Sequence, residues 1–228
     1  MVNEDLLNVD PPIRTPVIAV YRDSFTDQTG ARRSNSQFAT FSTAITQAPH
    51  AYLIRALQHA GKNNDGFFSV VERVGLDHVT KERQLIRSTR ESFDENQKLP
   101  PLVFAGLIME GGVIGYESNT TSGGAGARYL GIGTSKAYRR DTVQVSLRTV
   151  SVTTGKVLME VLVSKTILSA SLDNDVFRFV ADSTELVEVE GGVVRNESVN
   201  IALQAAIETA VLQTIEEGVS YGYWTVRR

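Results

Sequence analysis

The alternation of apolar and polar positions along the chain marks out short buried runs, amphipathic helices and one clear hairpin. Val17-Ile-Ala-Val-Tyr21 is an apolar run suited to a buried strand, and Phe67-Phe-Ser-Val-Val71 is a second. Between them Pro49 opens a helix at its first turn, Leu53, Ile54 and Leu57 share one face, and Gly61 stops it. Another helix is predicted over Val79 to Glu91, with Leu85 and Ile86 inward and Lys81, Glu82, Arg83, Arg87 and Arg90 solvated. Asn96 to Pro101 reads as a turn, and Val103 to Ile114 as a buried strand interrupted by Gly111-Gly112. Val143 to Val152 alternates almost without break, Thr154-Gly155 turns the chain, and Val157 to Val163 returns, which is an antiparallel hairpin. A final helix is predicted over Val199 to Glu216, with Leu203, Ile207 and Val211 on one stripe and Gly218 at its end. Together these elements predict an α+β domain.

Four stretches stand apart from that domain. Residues 1–15 are polar and punctuated by Pro11 and Pro12, with Pro16 just beyond, and read as an extended arm. Arg22 to Thr40 is a long polar loop containing Gly30, with Phe38 and Phe41 at its far end; such loops inside compact domains are usually functional or disordered. Thr120 to Arg140 and Ala170 to Val194 each have polar turn residues near the middle (Gly131 to Ser135, Asp182 to Thr184). Each has the length of a hairpin of two strands of about ten residues, enough to cross a bilayer when tilted. In the second, Phe177, Phe179, Val187, Val189 and Val193 form an apolar face opposed to Arg178, Glu188 and Glu190. Lipid on one side and water on the other selects that pattern, and so does a soluble amphipathic sheet. If the hairpins span a membrane, several copies must assemble in a ring, because unpaired strand edges are not tolerated in lipid.

Composition narrows the chemistry. The chain has 228 residues, 42% hydrophobic and 21% charged, with a net charge of −3, which is too mild to point to nucleic acid. It has no cysteine, so disulfides and thiol chemistry are excluded, and His50, His59 and His78 have no metal-ligand spacing. No apolar run is long enough for a membrane helix, and the acidic opening Met1-Val-Asn-Glu-Asp does not read as a signal peptide. The glycine-dense stretch Gly115 to Tyr129 invites a phosphate-loop reading, but Gly124-Ala-Gly126-Ala-Arg-Tyr129 lacks the third glycine of a dinucleotide fingerprint. Gly-Lys-Ser/Thr is absent, and the residues after Gly126 are β-prone. No cofactor, metal or catalytic residue is predicted.

Several motifs carry a resemblance. Ile114-Gly-Tyr-Glu-Ser-Asn119, Ser122-Gly-Gly-Ala-Gly-Ala-Arg-Tyr129, Gly131-Ile-Gly133, Ser164-Lys-Thr-Ile-Leu-Ser169, Val176-Phe-Arg-Phe179 and Ala206-Ile-Glu-Thr209 resemble the CsgG family of curli secretion channels. Phe41-Ser-Thr-Ala44 and Glu82-Arg-x-Leu-Ile-Arg87 are similar to the same family, and the matches run in order from about Val17 to Trp224. The resemblance implies a homo-oligomeric ring, typically of nine subunits, in the bacterial outer membrane. Each subunit has a periplasmic α+β domain and gives two membrane-spanning β-hairpins to one shared barrel. Unfolded curlin-like subunits diffuse outward through it, and a CsgE-like periplasmic cap and a CsgF-like surface nucleator associate with it. The expected division of the chain is an N-terminal arm (1–16), a first part of the domain (17–119) with a constriction loop (30–42), hairpin 1 (120–140), a domain hairpin (141–169), hairpin 2 (170–194), and the C-terminal helix and tail (195–228).

In the family a tyrosine, an asparagine and a phenylalanine of that loop line the narrowest ring. Counted back from Phe41-Ser-Thr-Ala44, the phenylalanine matches Phe41, the asparagine falls at Thr40 and the tyrosine near Ser36; the loop is one residue longer here. The implied constriction residues are Ser36, Gln37, Phe38, Thr40 and Phe41, with Phe38 as a substitute second aromatic. The loss of tyrosine and asparagine leaves the ring's width and selectivity open. Arg178, Glu188 and Glu190 are expected to face the lumen, and Phe177, Phe179, Leu130, Val187 and Val189 the lipid. The family's lipidated N-terminal cysteine has no counterpart in the chain. The competing reading is a soluble periplasmic assembly or peptide-binding protein with the same domain and no pore.

Overall fold

The computed structural model describes residues 3–31, 45–93, 97–121, 138–172, 176–181 and 197–227. They form a mixed α+β fold around one sheet of seven strands: β1 (Val17–Ala19), β2 (Phe25–Asp27), β3 (Ser69–Val71), β4 (Leu107–Thr121), β5 (Tyr138–Ser151), β6 (Val157–Leu172) and β7 (Val176–Ala181). The order is β3-β1-β4-β5-β6-β7, and β2 joins the same side of β4 as β1. β3, β1, β2 and β4 are parallel, whereas β4 to β7 are antiparallel neighbours. The long alternating sequences form the antiparallel half, as their period requires.

The helices are α1 (Glu4–Leu7), α2 (Pro49–His59), α3 (Leu76–Ser92) and α4 (Glu197–Ser220). α4 packs on β5, β6 and α2, burying Ala202, Leu203, Ala206, Ile207, Ala210, Val211 and Ile215 at helical spacing against Val143, Val145, Leu147, Val161 and Val163. α2 begins with Pro49 in its first turn and ends before Gly61, whose φ of 68° is the left-handed conformation that stops a helix. No helix among the described residues is long and apolar enough to cross a membrane.

Four expectations need correction. α3 buries none of its side chains, and Leu85, expected inward, is 60% exposed. What holds α3 to the returning chain is polar: Arg83 Nη2 donates to Pro100 O at 2.6 Å and Arg90 Nη1 to Gln97 O at 2.7 Å. The N-terminal arm is not a free extended segment. Leu6 is fully buried, the Asn3 amide donates to Glu208 Oε2 (2.9 Å), and Pro12 pairs with Val226 at the far end of the chain. Val103 lies outside the sheet and is 59% exposed, and β4 instead runs from Leu107 straight through Gly111-Gly112. Gly218 does not end α4, which continues to Ser220.

The reason for Gly218 is a close approach. A Cβ there would collide with the indole of Trp224, whose Nε1 donates to Ile215 O at 2.9 Å. The same ring meets Phe67 and Phe68 edge-on, with centroids 5.8 and 6.0 Å apart. The tail therefore folds back and clips the end of α4 to the core. Gly218→Ala is expected to lower stability by roughly 1–3 kcal/mol through overpacking. Trp224→Ala should lose roughly 3–5 kcal/mol. Thermal or denaturant unfolding measures both.

His50 and His59 have buried Nδ1 atoms without a hydrogen-bond partner. Burial lowers both pKa values from the ordinary 6.5; Arg22 adds to this at His50, and Lys62 and Arg55 add to it at His59 against an opposing pull from Glu208. Just below 6.5 the unfolded chain binds more of these protons than the folded chain, so this contribution to stability falls as pH drops through that window. The melting temperature is expected to decline from about pH 7.5 to about pH 5.5. His50→Asn combined with His59→Asn should flatten that decline.

Candidate functional site

The first expected site is the long loop after β1, and its sequence is less uniformly polar in structure than it reads. Within it β2 turns Phe25 into the core, fully buried, and aligns Phe25, Thr26 and Asp27 with Gly111, Gly112 and Val113 of β4. The entry to β2 is fixed at Ser24: the Gly111 amide donates to Ser24 O (2.8 Å), and the Tyr21 amide to Ser24 Oγ (3.0 Å). Beyond β2 the chain is tied down by its own polar residues. The Gln28 amide donates to Val113 O at 2.9 Å, and Gln28 Nε2 to Gly111 O at 3.2 Å. Asp27 Oδ1 accepts from the Thr29 amide (3.0 Å) and hydroxyl (2.7 Å), and Thr29 Oγ1 accepts from the Ala31 amide (3.1 Å). Gly30 follows with a φ of 62°, so the Asp-x-Thr-Gly run makes a fixed turn.

The other end of the loop is anchored as well. Ile45 is buried in the core, and the Ala48 amide donates to Thr46 Oγ1 (3.2 Å) just before α2 opens at Pro49. Ser36, Gln37, Phe38, Thr40 and Phe41 lie outside the described residues, between these two anchors.

β4 makes room for β2 through its glycines. Gly111 has a φ of 142°, and a Cβ there would strike the Ser146 carbonyl oxygen of β5; a Cβ on Gly112 would strike the Thr26 carbonyl oxygen of β2. Both positions point into the plane of the sheet, where only glycine fits between two backbones. A bulge between Val113 and Gly115 follows, and β4 then continues with β5 alone on one side, down to the pair Thr121 and Tyr138.

The second expected site is the pair of hairpins that continue these strands. β4 and β5 lead into residues 122–137, which with Leu130 lie outside the described residues. β6 continues past the domain and pairs with β7 from Ile167 opposite Ala181 to Leu172 opposite Val176. β6 and β7 thus run antiparallel up to Leu172 opposite Val176, and the Asp182 to Thr184 turn read from sequence lies outside the described residues. This register sets Phe177, Arg178 and Phe179 opposite Ser171, Ala170 and Ser169. Val187, Glu188, Val189 and Glu190 lie outside the described residues.

Where the strands leave the core, polar bonds replace apolar contacts. Asp141 is fully buried and accepts from the Tyr116 hydroxyl at 3.2 Å, and the hydroxyls of Thr142 and Thr166 lie 2.9 Å apart across β5 and β6. Closer to the domain, Arg148 stands 3.5 Å from Glu110, and Ser146 donates to Glu160 at 2.8 Å. No group of three or more His, Asp or Glu among the described residues could hold a metal ion. β2 and its turn are the part of the site that sequence reading missed. The available signal was Phe25, the one aromatic in the polar run before Phe38, followed by Asp27-x-Thr29-Gly30.

Residues 2–228 match the family described as "Curli production assembly/transport component CsgG". Proteins of that same description from Escherichia coli K12 and from Salmonella typhimurium LT2 are each 39% identical over 228 residues, covering 98% of this chain and 79% of theirs. Among solved structures, a PelC dodecamer from Paraburkholderia phytofirmans is similar at 12% identity, with 89% of this chain and 91% of that chain covered and a TM-score of 0.34. A putative neuraminyllactose-binding hemagglutinin homolog from Helicobacter pylori aligns at 7% identity over 91% and 88% of the two chains, with a TM-score of 0.39.

The glycine pair yields a direct test of this junction. Gly111→Ala is expected to lower stability by about 2 kcal/mol or more, because a backbone oxygen has to move. Gly155→Ala also places alanine at positive φ, but with open space around it, and is expected to lose about 1 kcal/mol. Chemical denaturation of the two variants side by side measures the difference.

Proposed function

Because the chain belongs to the CsgG family of curli production assembly/transport components, we propose that it is one subunit of a non-enzymatic outer-membrane channel. Through this channel unfolded, amyloid-forming curlin-like subunits diffuse to the cell surface. The observation that carries this reading is the extension of β4, β5 and β6 beyond the core as paired ribbons. β1, β2 and β3 stop alongside Leu107 to Val113 or further out in the sheet, yet pairing continues to Thr121 opposite Tyr138 and to Leu172 opposite Val176. Strands that outrun their own core need another environment, and two such ribbons per chain are what a shared barrel would use.

Ring assembly agrees with the edges of the sheet. β3 ends it on one side, and on the other the lower part of β6 has no strand beyond it among the described residues. That part of β6 exposes Val157 (53%) and Leu162 (67%). Exposed apolar edge strands recruit partners, and a head-to-tail pairing that closes makes a ring. In this reading Phe41, with Phe38, Thr40, Gln37 and Ser36, lines the constriction. Arg178, Glu188 and Glu190 face the lumen, and Phe177, Phe179, Leu130, Val187 and Val189 face lipid. The domain lies on the periplasmic side, where a CsgE-like cap docks, and a CsgF-like nucleator binds at the surface. Narrow rings of apolar side chains hold extended polypeptide weakly and exclude folded cargo, which needs no cofactor.

Single-channel recording in a planar bilayer tests the proposal. Purified wild type is expected to give a stable conductance, and Phe41→Ala a larger one. A pore insensitive to Phe41→Ala keeps the channel and moves its constriction. A monodisperse soluble monomer without conductance overturns the channel and leaves the soluble peptide-binding reading.

A further inference from the structure

We propose that Gln28 is a positioning residue for the channel: its two hydrogen bonds to β4 set where the constriction loop leaves the wall. This rests on the channel reading, and it concerns how the aperture is held, not which residues form it. β2 is only three residues long, at the short end of strand lengths, so few ladder bonds hold it. Gln28 extends its grip by bonding two different carbonyls of β4, Val113 O through the main chain and Gly111 O through the side chain. The amide thus spans Gly112, where a Cβ would lie 3.1 Å from Gln28 Nε2. The Asp27–Thr29–Ala31 relay then fixes the exit direction, so the loop's first anchor is referenced to the strand that becomes the first hairpin.

Gln28 is exposed and contributes nothing to the apolar core. A residue with no positioning role at such a place would be replaceable without consequence. Losing one such bond shifts a local docked–undocked balance roughly three- to tenfold. The turn should then sample several positions while the ring stays intact.

The experiment compares wild type, Gln28→Ala, Thr29→Val, Phe41→Ala and Gln58→Ala, an exposed control on α2, as purified rings in planar bilayers. Amide exchange at Thr29 and Ala31 is measured on the same rings. Gln28→Ala and Thr29→Val are expected to raise exchange at these amides and open-channel current noise roughly three- to tenfold. Ring size, melting temperature and the behaviour of Gln58→Ala should not change. If wild type conducts and responds to Phe41→Ala while both turn variants match wild type, the positioning role is overturned and the channel stands. A silent wild type overturns both. Should Gln28→Ala fail to assemble, Thr29→Val carries the comparison alone with the same two readouts.

Discussion

The fold depends on one backbone constraint: at Gly111-Gly112 three strands come together with no room for a side chain between them. β5 presses on β4 from one side through the Ser146 carbonyl, and β2 from the other through the Thr26 carbonyl. Below this point β4 lies between β1 and β5, at it β2 takes the place of β1, and beyond Val113 β4 pairs with β5 alone among the described strands. A side chain at either glycine would push one neighbour away, detaching the loop through β2 or the ribbon through β5. The glycines let one strand serve as core element and as exit at once.

The remainder of the domain keeps that junction rigid. α4 covers β5 and β6 with small and medium side chains, and its end is locked by Trp224 over Gly218. The chain termini reinforce the same helix, since Asn3 bonds Glu208 while residues 11–13 pair with residues 225–227. A buried carboxylate such as Glu208 needs hydrogen-bond donors, and here they come from the N-terminal backbone and from Gln204 at 2.8 Å. α3 is the exception, an outlying helix attached by arginine-to-carbonyl bonds with no apolar face buried.

What the sequence disclosed depends on how local each signal is. The hairpin of β5 and β6 was legible because alternation over more than ten residues has period two and one turn, and both are local properties. The limits of α2 were legible from Pro49 and Gly61 for the same reason. β2 was not, because three residues carry no period and its partner, β4, lies more than eighty positions away in sequence. Gly111 and Gly112 read as interruptions of a strand and Gly218 as a helix end: propensity says what glycine weakens, not which distant backbone or ring needs the space. Leu85 was misassigned because helical spacing names a face without saying whether anything covers it. The constriction residues expected in the loop come from motif resemblance alone and the two faces of the second hairpin from alternation, whereas the turn that carries the loop had to be seen in place.

The directions of the outer strands bear on how copies would meet. β4 rises from the domain, β5 descends, β6 rises and β7 descends. Beyond Val113 no described strand pairs with the side of β4 away from β5, and none pairs with the side of β7 away from β6. A rising edge and a descending edge on one four-stranded ribbon let copies join side by side with every neighbour antiparallel. Two upward or two downward edges would force a parallel seam at each junction. If the ribbons enter lipid as proposed, every edge must be paired, and this even strand count would let any number of copies close a uniform barrel.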